Sequence, residues 1–527
     1  MGADAAAVTA AEAAEYRAAG WWSDLTLADC VRRNATTHPD VAAYTDFTPA
    51  GNGRRLTWSQ FDAAAINLAH RLLVLGVSPG ARVALWHNDT AAIHVLLVAI
   101  ERCGATAVGL GARAGVREAA QILRTADPVL LVCDPERRAP AEQVGVRVVE
   151  FGDGAGLSID TRPATDAGLE PLGADDVFLI NSTSGTTGLP KCVVHTQNRW
   201  YYFHRKAVAN GLLTAADVFL PVIPTPFGFG IWTSHTTPIH LGASTVRIDR
   251  FDAAATCAAI ERHRATVLCC VSTQLAMLLA SPASREFDIS SLRVVFTGGE
   301  PLPYTQSARF EELTGAIILQ FYGSNETGML SATTGDDPLH RRLRTAGRIV
   351  PEMRVRLFDG DRDVTATGRG QPVCRGPALS LGYLGGTDHD KLYTEDGWMR
   401  MGDICDLDDE GFLTLAGRTS DFILRAGKNI SAVQVEEVVA THPAVVVAAA
   451  VAMPDPMFGE RVCVFAELTH GGVLDLPSLV EHLLQLGVSK ELLPERLEVL
   501  DELPRSSGGK IAKGVLRDRI RTETETR

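Results

Sequence analysis

Residues 177–191 read Val-Phe-Leu-Ile-Asn-Ser-Thr-Ser-Gly-Thr-Thr-Gly-Leu-Pro-Lys, an apolar run followed by a loop of small residues. The apolar run predicts a buried strand. The seven small residues from Ser182 to Gly188 expose backbone N–H groups and hydroxyls together, and glycine lets a phosphate chain approach the backbone closely. Because Leu189-Pro190 follows, the loop is not of the Walker A type. We favour a phosphate-binding loop after a strand over a flexible linker.

Strand-like runs alternate with helical patterns on both sides of this loop. Apolar residues recur with a helical period from Phe61 to Leu75, and the strand-like run Arg82–Trp86 follows. Alternating strands and helices predict an α/β architecture with largely parallel sheets. Further strand-like runs are 105–110, 129–133, 177–180, 266–271 and 294–297, and 91–102 is a predicted helix.

The chain has 527 residues, which is too long for one compact domain. The alternation persists to about residue 345, and residues 355–415 then show short strands with Gly and Asp turns, which predicts a β-rich subdomain. A small α+β unit follows after Gly417. We therefore predict a large N-terminal domain of α/β subdomains over 1–419 and a small, mobile α+β C-terminal domain over 420–527.

Composition excludes several classes of function. The net charge of −13 disfavours nucleic acid as a partner, because a phosphate backbone would be repelled. The ten cysteines show no C-x-x-C pair, which argues against a zinc site or a disulfide framework. No apolar run reaches about 18 residues, so no membrane span is expected. A cytoplasmic protein with reduced thiols fits these features best.

Three further segments carry candidate chemistry. In Gln320-Phe-Tyr-Gly-Ser-Asn-Glu-Thr327, an aromatic residue before glycine offers a face for a flat base, and the carboxylate that follows can hold magnesium through oxygen. Asp403 and Arg418 are suited to bracket a ribose. Lys510 ends the Gly/Ser loop Leu503–Lys510. Taken singly, the first of these segments is equally compatible with an ordinary turn, and the other two favour a surface ion pair and a solvated loop tip.

The four segments, in this order, resemble the adenylate-forming (ANL) superfamily of acyl-CoA synthetases, aryl-acid ligases, peptide-synthetase adenylation domains and luciferases. The resemblance runs from about Leu25 to Lys513, nearly the whole chain. It implies a large N-terminal domain with a mobile C-terminal domain, and an enzyme that uses ATP, Mg²⁺ and either coenzyme A or the phosphopantetheine of a carrier protein. The reaction it implies is conversion of a carboxylic acid to its acyl-adenylate, followed by thioester formation.

The same resemblance assigns roles to individual residues. Lys510, Glu326 and Thr187 are expected to be catalytic, with Glu326 as the magnesium ligand. Ser420 is expected at the hinge and Gly427 beside the pantetheine tunnel. The residues expected to bind ATP are Thr183, Ser184, Gly185, Thr186, Thr187, Gly188, Lys191, Gly299, Glu300, Pro301, Tyr322, Gly323, Ser324, Asn325, Asp403, Arg418 and Lys510.

The acyl pocket is expected around Pro224–Trp232. Phe227 falls where activators of 2,3-dihydroxybenzoate carry an asparagine, and phenylalanine cannot bond an ortho hydroxyl. The interleaved aromatic and glycine residues predict an apolar cavity for a bulky aryl, alicyclic or polycyclic acid, although some of these rings are equally compatible with plain core. The residues expected to bind the acyl group are Phe227, Gly228, Phe229, Trp232, Gly298, Phe321 and Gly323.

Two other functions stay open at this stage. The first is a ligase that loads the acyl group onto a carrier protein, which shares every adenylation residue and differs only in the thiol. The second is a non-catalytic nucleotide-binding regulator, against which the retained Glu326, Asp403, Arg418 and Lys510 argue. A P-loop kinase is disfavoured by the absent Gly-Lys-Ser/Thr.

Overall fold

The computed structural model describes residues 8–51, 53–154, 156–182, 191–300, 302–386, 389–418, 421–425, 428–506 and 510–525. The α-helices are α1 (Ala10–Ala18), α2 (Leu27–Thr37), α3 (Trp58–Val74), α4 (Ala91–Arg102), α5 (Val116–Ala126), α6 (Arg138–Glu142), α7 (Gln197–Gly211), α8 (Gly228–Ile231), α9 (Thr237–Leu241), α10 (Ala253–His263), α11 (Ser272–Ala280), α12 (Ala283–Glu286), α13 (Tyr304–Thr314), α14 (Leu339–Arg344), α15 (His389–Leu392), α16 (Ala432–Val439), α17 (Leu476–Gln485) and α18 (Lys513–Glu525). A π-helix, Trp232–Thr236, lies between α8 and α9.

The strands are β1 (Ala42–Asp46), β2 (Arg55–Thr57), β3 (Arg82–Trp86), β4 (Thr106–Gly109), β5 (Leu130–Cys133), β6 (Val148–Glu150), β7 (Val177–Ser182), β8 (Cys192–Thr196), β9 (Val218–Pro221), β10 (Ser244–Arg247), β11 (Val267–Cys269), β12 (Val294–Gly298), β13 (Ile317–Ser324), β14 (Gly328–Ala332), β15 (Arg348–Ile349), β16 (Arg354–Asp359), β17 (Arg362–Asp363), β18 (Arg369–Arg375), β19 (Met399–Arg400), β20 (Asp403–Leu407), β21 (Leu413–Arg418), β22 (Phe422–Arg425), β23 (Lys428–Ser431), β24 (Val445–Asp455), β25 (Gly459–Leu468) and β26 (Arg496–Val499).

Helix α3 shows how the local sequence sets an element. Thr57 caps it: the Thr57 hydroxyl accepts from the N–H of Gln60 at 3.3 Å, and the Gln60 side chain accepts from the N–H of Thr57 at 3.0 Å. The periodic apolar residues, among them Phe61 and Leu72, are fully buried. Gly76, with φ of +93°, reverses the chain after the helix. The predicted helix is confirmed.

Two largely parallel sheets form the first part of the chain. One has the strand order β6-β5-β3-β4-β7-β8, in which the hairpin strand β8 is antiparallel. The other has the order β15-β14-β13-β12-β11-β9-β10-β1-β2, and the run from β13 to β1 is parallel. The predicted α/β class is confirmed, since helices alternate with these strands.

The later strands form antiparallel layers. Strands β17-β16-β18-β20-β21 form the predicted β-rich subdomain, with β19 paired to β18. Strands β23-β22-β25-β24 form the sheet of the C-terminal unit, with β26 parallel to β25. We call residues 420–527 the lid. The boundary at 419/420 lies outside the described residues and stays a prediction.

The fold gathers the carboxyl ends of several strands at one place. Ligands of open α/β sheets bind in the crevice outside these ends. The segments that follow β7, β12 and β13 are those in which the sequence analysis placed candidate nucleotide-binding residues.

All ten cysteines are buried free thiols. Among the described residues, no helix is both long and apolar enough to cross a membrane.

Candidate active site

The first part of the site is a group of charged and aromatic side chains beside the predicted phosphate loop. Lys191 is the first described residue after that loop, and its ammonium lies 4.8 Å from the ring centroid of Tyr383. The Tyr383 hydroxyl donates to Glu326 Oε1 at 2.8 Å. The structure therefore brings together two predicted residues, Lys191 and Glu326, through a tyrosine that the sequence analysis missed.

Glu326, the residue predicted to hold magnesium, is fixed by two contacts. The Ser380 N–H donates to its main-chain oxygen at 2.8 Å, which fixes the backbone, and Tyr383 holds one carboxylate oxygen. Among the described residues there is no group of three or more His, Cys, Asp or Glu that could hold a metal. Magnesium in nucleotide enzymes takes one or two carboxylates and completes its shell with phosphate and water. A single held carboxylate therefore fits this metal.

The nucleoside end of the site is built from β13 and β20. The Tyr322 hydroxyl donates to Asp403 Oδ2 at 2.9 Å. Burial, and then the charge of Asp403, raises the pKa of Tyr322 well above its usual value, so the phenol stays protonated and remains a donor. Asp403 pairs in register with Arg418 on the neighbouring strand. The predicted base slot and ribose clamp are thus adjacent, although the side chain of Arg418 lies outside the described part.

Strand β12 ends in a glycine pair that permits close contacts. A Cβ on Gly298 would lie 2.4 Å from the carbonyl oxygen of Phe321, and a Cβ on Gly323 would lie 1.7 Å from that of Gly328. Only glycine fits at either position. Gly299 has φ of +81°, a conformation that favours glycine.

Glu300 is hydrogen-bonded to the N-terminal end of α11. Its carboxylate accepts from the Ser272 hydroxyl at 3.0 Å and from the Thr273 N–H at 3.4 Å, at the start of α11. A carboxylate at a helix N-terminus is favourably placed against the unpaired N–H groups. Glu300 therefore anchors α11 to the end of β12, and its assignment to the adenine slot stays a prediction.

Lys510 reaches the site from the lid. Its Nζ lies 2.7 Å, and its Cε 2.9 Å, from the position that a Cβ on Gly299 would occupy. The lysine therefore lies directly over the bare backbone of Gly299, beside the end of β12. The lid orientation in this structure is one in which the predicted catalytic cation is inside the cleft.

A buried polar network lies behind the site. Asn325 Nδ2 donates to Asn181 Oδ1 at 2.6 Å, and Asn181 Nδ2 donates to the carbonyl of Pro226 at 2.8 Å. One amide hydrogen of Asn325 is thus used inside the protein. A Cβ on Gly228 would lie 2.7 Å from Asn325 Oδ1, so a larger residue there would have to displace the Asn325 side chain from this network. The network joins the loop after β13 to the predicted acyl loop.

His195 and Arg199 complete this network. Arg199 Nη1 approaches His195 Nδ1 at 2.5 Å, and His195 Nε2 lies 2.7 Å from Asn181 Oδ1. Burial, and then the charge of Arg199, holds the pKa of His195 well below its usual value, so the ring is neutral and Nε2–H is the donor. Arg199 also donates to the carbonyl of Asn325 at 2.8 Å. No sequence pattern singled out these residues, although Asn181 stands at the strand end.

The predicted acyl residues divide into two kinds. Trp232 and Phe321 are buried, and their ring centroids lie 4.8 Å apart in an edge-to-face contact. Phe227 and Phe229 are only half-buried, and Phe229 stacks on Trp232 at 5.6 Å. Trp232 is therefore largely core, as one interpretation of the sequence allowed. Phe321 closes one side of the predicted pocket against it.

Some predictions cannot be placed. Thr183, Ser184, Gly185, Thr186, Thr187, Gly188, Pro301, Ser420 and Gly427 lie outside the described residues. The elements that bracket them are described: β7 and β8 flank the predicted phosphate loop in the chain, and the paired strands β22 and β23 flank Gly427. Ser324 is half-buried, and its hydroxyl accepts from the N–H of Glu326 at 3.2 Å.

Comparison with known proteins gives consistent matches. The family described as AMP-binding enzyme matches residues 31–384, and the AMP-binding enzyme C-terminal domain matches residues 434–510. A medium-chain fatty-acid–CoA ligase of Escherichia coli is 31% identical, over 96% of this chain and 92% of the relative. A salicyl-AMP ligase / salicyl-S-ArCP synthetase of Mycobacterium tuberculosis is 32% identical, over 95% of this chain and 92% of the relative.

Solved structures agree on the fold. The crystal structure of the anthranilate CoA ligase AuaEII in complex with anthranoyl-AMP superposes with a TM-score of 0.85, over 96% of this chain and 98% of that one, at 23% identity. With both family domains matched in order, this chain is a member of the AMP-binding enzyme family, the adenylate-forming acid ligases of the ANL superfamily.

Proposed function

We propose that this protein converts an apolar carboxylic acid to its acyl-adenylate with release of pyrophosphate, and then transfers the acyl group to the thiol of coenzyme A. The observation that carries this proposal is the position of Lys510 over Gly299, at the end of β12, where the preceding Gly298 pairs with Phe321 immediately before Tyr322. A cation supplied by the lid is what the first step requires, because both reactants are anions.

In the first step, a carboxylate oxygen of the acid attacks the α-phosphorus of ATP. The new phosphorus–oxygen bond forms as the bond to the bridging oxygen of the β-phosphate breaks, and pyrophosphate leaves with that electron pair. Lys510 would stabilise the charge that develops between the two anions, on the scale of about 3–4 kcal/mol seen for a single preorganised donor. Magnesium, when bound at Glu326, supplies charge neutralisation of the phosphates.

The residues of the chain hold the nucleotide in this step. Tyr322 would offer its ring to the adenine while its hydroxyl keeps Asp403 in place. Asp403, with Arg418 beside it on the neighbouring strand, would accept from the ribose hydroxyls. Lys191 over Tyr383 places a second cation next to the predicted phosphate loop. These contacts position the α-phosphorus for in-line attack.

In the second step, the thiol loses its proton to solvent and its sulfur attacks the acyl carbonyl, and the carbonyl–oxygen bond to AMP breaks with AMP as the leaving group. Lys510 occupies the cleft in the present orientation. We therefore propose that the lid rotates about Ser420 between the two steps, and that the hairpin carrying Gly427 then borders the pantetheine path.

The acid is proposed to be bulky and apolar, of the aryl, alicyclic or polycyclic kind. Phe229 and Phe321 give the predicted pocket an aromatic wall, and Trp232 packs against both of them from the core. Phe227 offers no hydrogen bond to an ortho hydroxyl, which disfavours a catechol acid. Relatives named for salicylate and for indoleacetate support an aromatic acid.

The acceptor thiol is the open alternative. One relative is named a CoA ligase and another is named for loading an aryl carrier protein, so both acceptors are represented among similar chains. We propose coenzyme A, with a carrier-protein phosphopantetheine as the competing acceptor. A non-catalytic regulator is disfavoured because Lys510 reaches Gly299 from the lid and Glu326 is held by the Tyr383 hydroxyl.

One coupled experiment tests the proposal. Purified protein is incubated with ATP, Mg²⁺ and a panel containing benzoate, salicylate, cyclohexanecarboxylate, indole-3-acetate, short linear acids and α-amino acids, with and without CoA. We expect AMP and pyrophosphate with a cyclic acid, and acyl-CoA when CoA is present. Release of ADP, or turnover only with short linear acids or α-amino acids, would refute it. Acylation of a carrier protein but not of CoA would reassign the acceptor.

A further inference from the structure

Helix α11 makes an apolar contact with the lid. Ala276, which is buried, packs in the same cluster as Val447, Ala449 and Leu503 of the lid. Within the described residues grouped in that cluster, Ala276 is the one buried member that precedes the predicted hinge. A small side chain at this point lets the helix approach β24 closely, and a larger one would separate the two surfaces.

Polar contacts flank the apolar one. Arg505 of the lid places Nη2 3.6 Å from the sulfur of Met277, the next residue of α11. Arg505 is held in turn by Glu467, at 3.0 Å. On the neighbouring helix α13, Gln306 Nε2 donates to the carbonyl of Val446 at 3.4 Å. The lid thus meets the large domain along α11 and α13.

The contact between Arg505 and α11 is linked to Lys510 through backbone contacts within the lid. The Ser506 N–H donates to the carbonyl of Lys510 at 2.7 Å, and Arg505 forms a β-bridge with Ile511. The position of Arg505 against α11 therefore fixes the base of the lysine. At the other end of α11, Glu300 caps the helix, and Glu300 is adjacent to Gly299, on which the lysine lies.

We propose that α11 is the docking surface that selects the adenylate-forming orientation of the lid, with Ala276 and Met277 as its contact residues. The partner is the lid of the same chain, through Val447, Ala449 and Arg505. This inference rests on the proposed function and extends it. It states that adenylate formation depends on the α11 surface, which is remote from the reacting atoms, and that thioester formation does not. A lid that cannot dock here cannot deliver Lys510, but it remains able to rotate into another orientation.

The test measures the two half-reactions separately on the full chain. Adenylate formation is followed as pyrophosphate exchange with the acid that the wild-type protein accepts best. Thioester formation is followed from the chemically prepared acyl-adenylate of that acid and CoA. Ala276→Glu places a charge in the apolar contact and should lower the first rate by about 10- to 100-fold, because a buried unpaired charge disfavours the docked state. The second rate should stay within about threefold.

Matched variants control for other causes. Ala280→Glu introduces the same charge one turn further along α11, at an exposed position, and should leave both rates unchanged. Met277→Arg, at a half-buried position facing Arg505, should lower adenylate formation by roughly tenfold through like-charge repulsion, whereas Met277→Glu should not. If Ala276→Glu lowers the melting temperature, comparison of Met277→Arg with Met277→Glu still shows whether the α11 contact controls adenylate formation.

Several outcomes would overturn the inference. One is an equal loss of both half-reactions in the Met277→Arg variant with an unchanged melting temperature. Another is the absence of any effect of both Ala276→Glu and Met277→Arg. A wild-type protein that forms no adenylate from any acid would instead contradict the proposed function, so the two failures are distinguishable.

Discussion

Gly299→Ala gives the sharpest test of how Lys510 is seated. A Cβ at this position would lie 2.7 Å from Lys510 Nζ and 2.9 Å from Cε, well inside van der Waals contact. The lysine end is flexible and would move away. Alanine would in addition be strained at φ of +81°, which costs about 1–2 kcal/mol. The variant should therefore displace the ammonium of Lys510, the proposed catalytic cation, without removing it.

The magnitude follows from these two effects. If the displaced ammonium loses most of its contribution, the barrier to adenylate formation rises by about 2–4 kcal/mol, which is roughly 30- to 1000-fold in rate. The backbone strain lowers stability but does not by itself alter the barrier. The thioester half-reaction, for which we propose that the lid rotates away, should change by less than about threefold.

A double-mutant cycle distinguishes two causes of a slower reaction in Gly299→Ala. One is displacement of the Lys510 ammonium, and the other is a direct role of Gly299 in adenine binding. Gly299→Ala, Lys510→Ala and the combined variant are compared by pyrophosphate exchange, with thermal unfolding as the control for folding. We expect the Gly299→Ala loss to vanish in the Lys510→Ala background, because the lysine is then already absent. If the full loss persists there, Gly299 acts on the nucleotide and the reasoning is wrong.

Three further predictions concern other groups. Tyr383→Phe removes the hydroxyl that holds Glu326 and should raise the Mg²⁺ concentration needed for half-maximal pyrophosphate release by about tenfold; an unchanged requirement would contradict this role. Phe321→Gly should extend the accepted acids towards longer or wider ones, measured on the acid panel, at a cost of about 3–5 kcal/mol in the free energy of unfolding. Burial lowers the pKa of His235 and of His240 to about 3, so the unfolded chain binds more protons below pH 6.5 and stability falls as the pH decreases from there. Urea unfolding at pH 7 and pH 5 should differ by about 2 kcal/mol for each histidine, and equal stabilities would refute the assignment.

The expected strands and helices were largely confirmed because their signals are local. Arg82–Trp86 and Ala91–Arg102 have the bounds that the sequence predicted, since strand and helix periods are properties of short segments. The observed strand Val267–Cys269 is shorter than the predicted run 266–271, because burial extends beyond the residues that pair. Boundaries depend on neighbours and are less determined by the segment itself.

The charged residues of the candidate site were proposed from the order of the motifs, whereas the contacts that support them could not be predicted from the sequence. Glu326 and Lys510 stand in short segments that the sequence marks. Tyr383 contacts Glu326 across 57 residues of chain, and Asn181 contacts Asn325 across 144. No periodicity or composition signal connects such distant positions, because the contact exists only once β7, β13 and the loop before α15 are assembled.

The amino-acid sequence by itself determined the α/β class and the order of the four motifs, and it supplied the charged residues proposed for the site, because each depends on a short stretch of chain. Only the tertiary structure decided that Lys510 lies over Gly299, that Glu300 is used to cap α11, and that Trp232 and Phe321 close on each other. These outcomes depend on which surfaces pack together, and packing is set by the shape and volume of residues that are far apart in the chain.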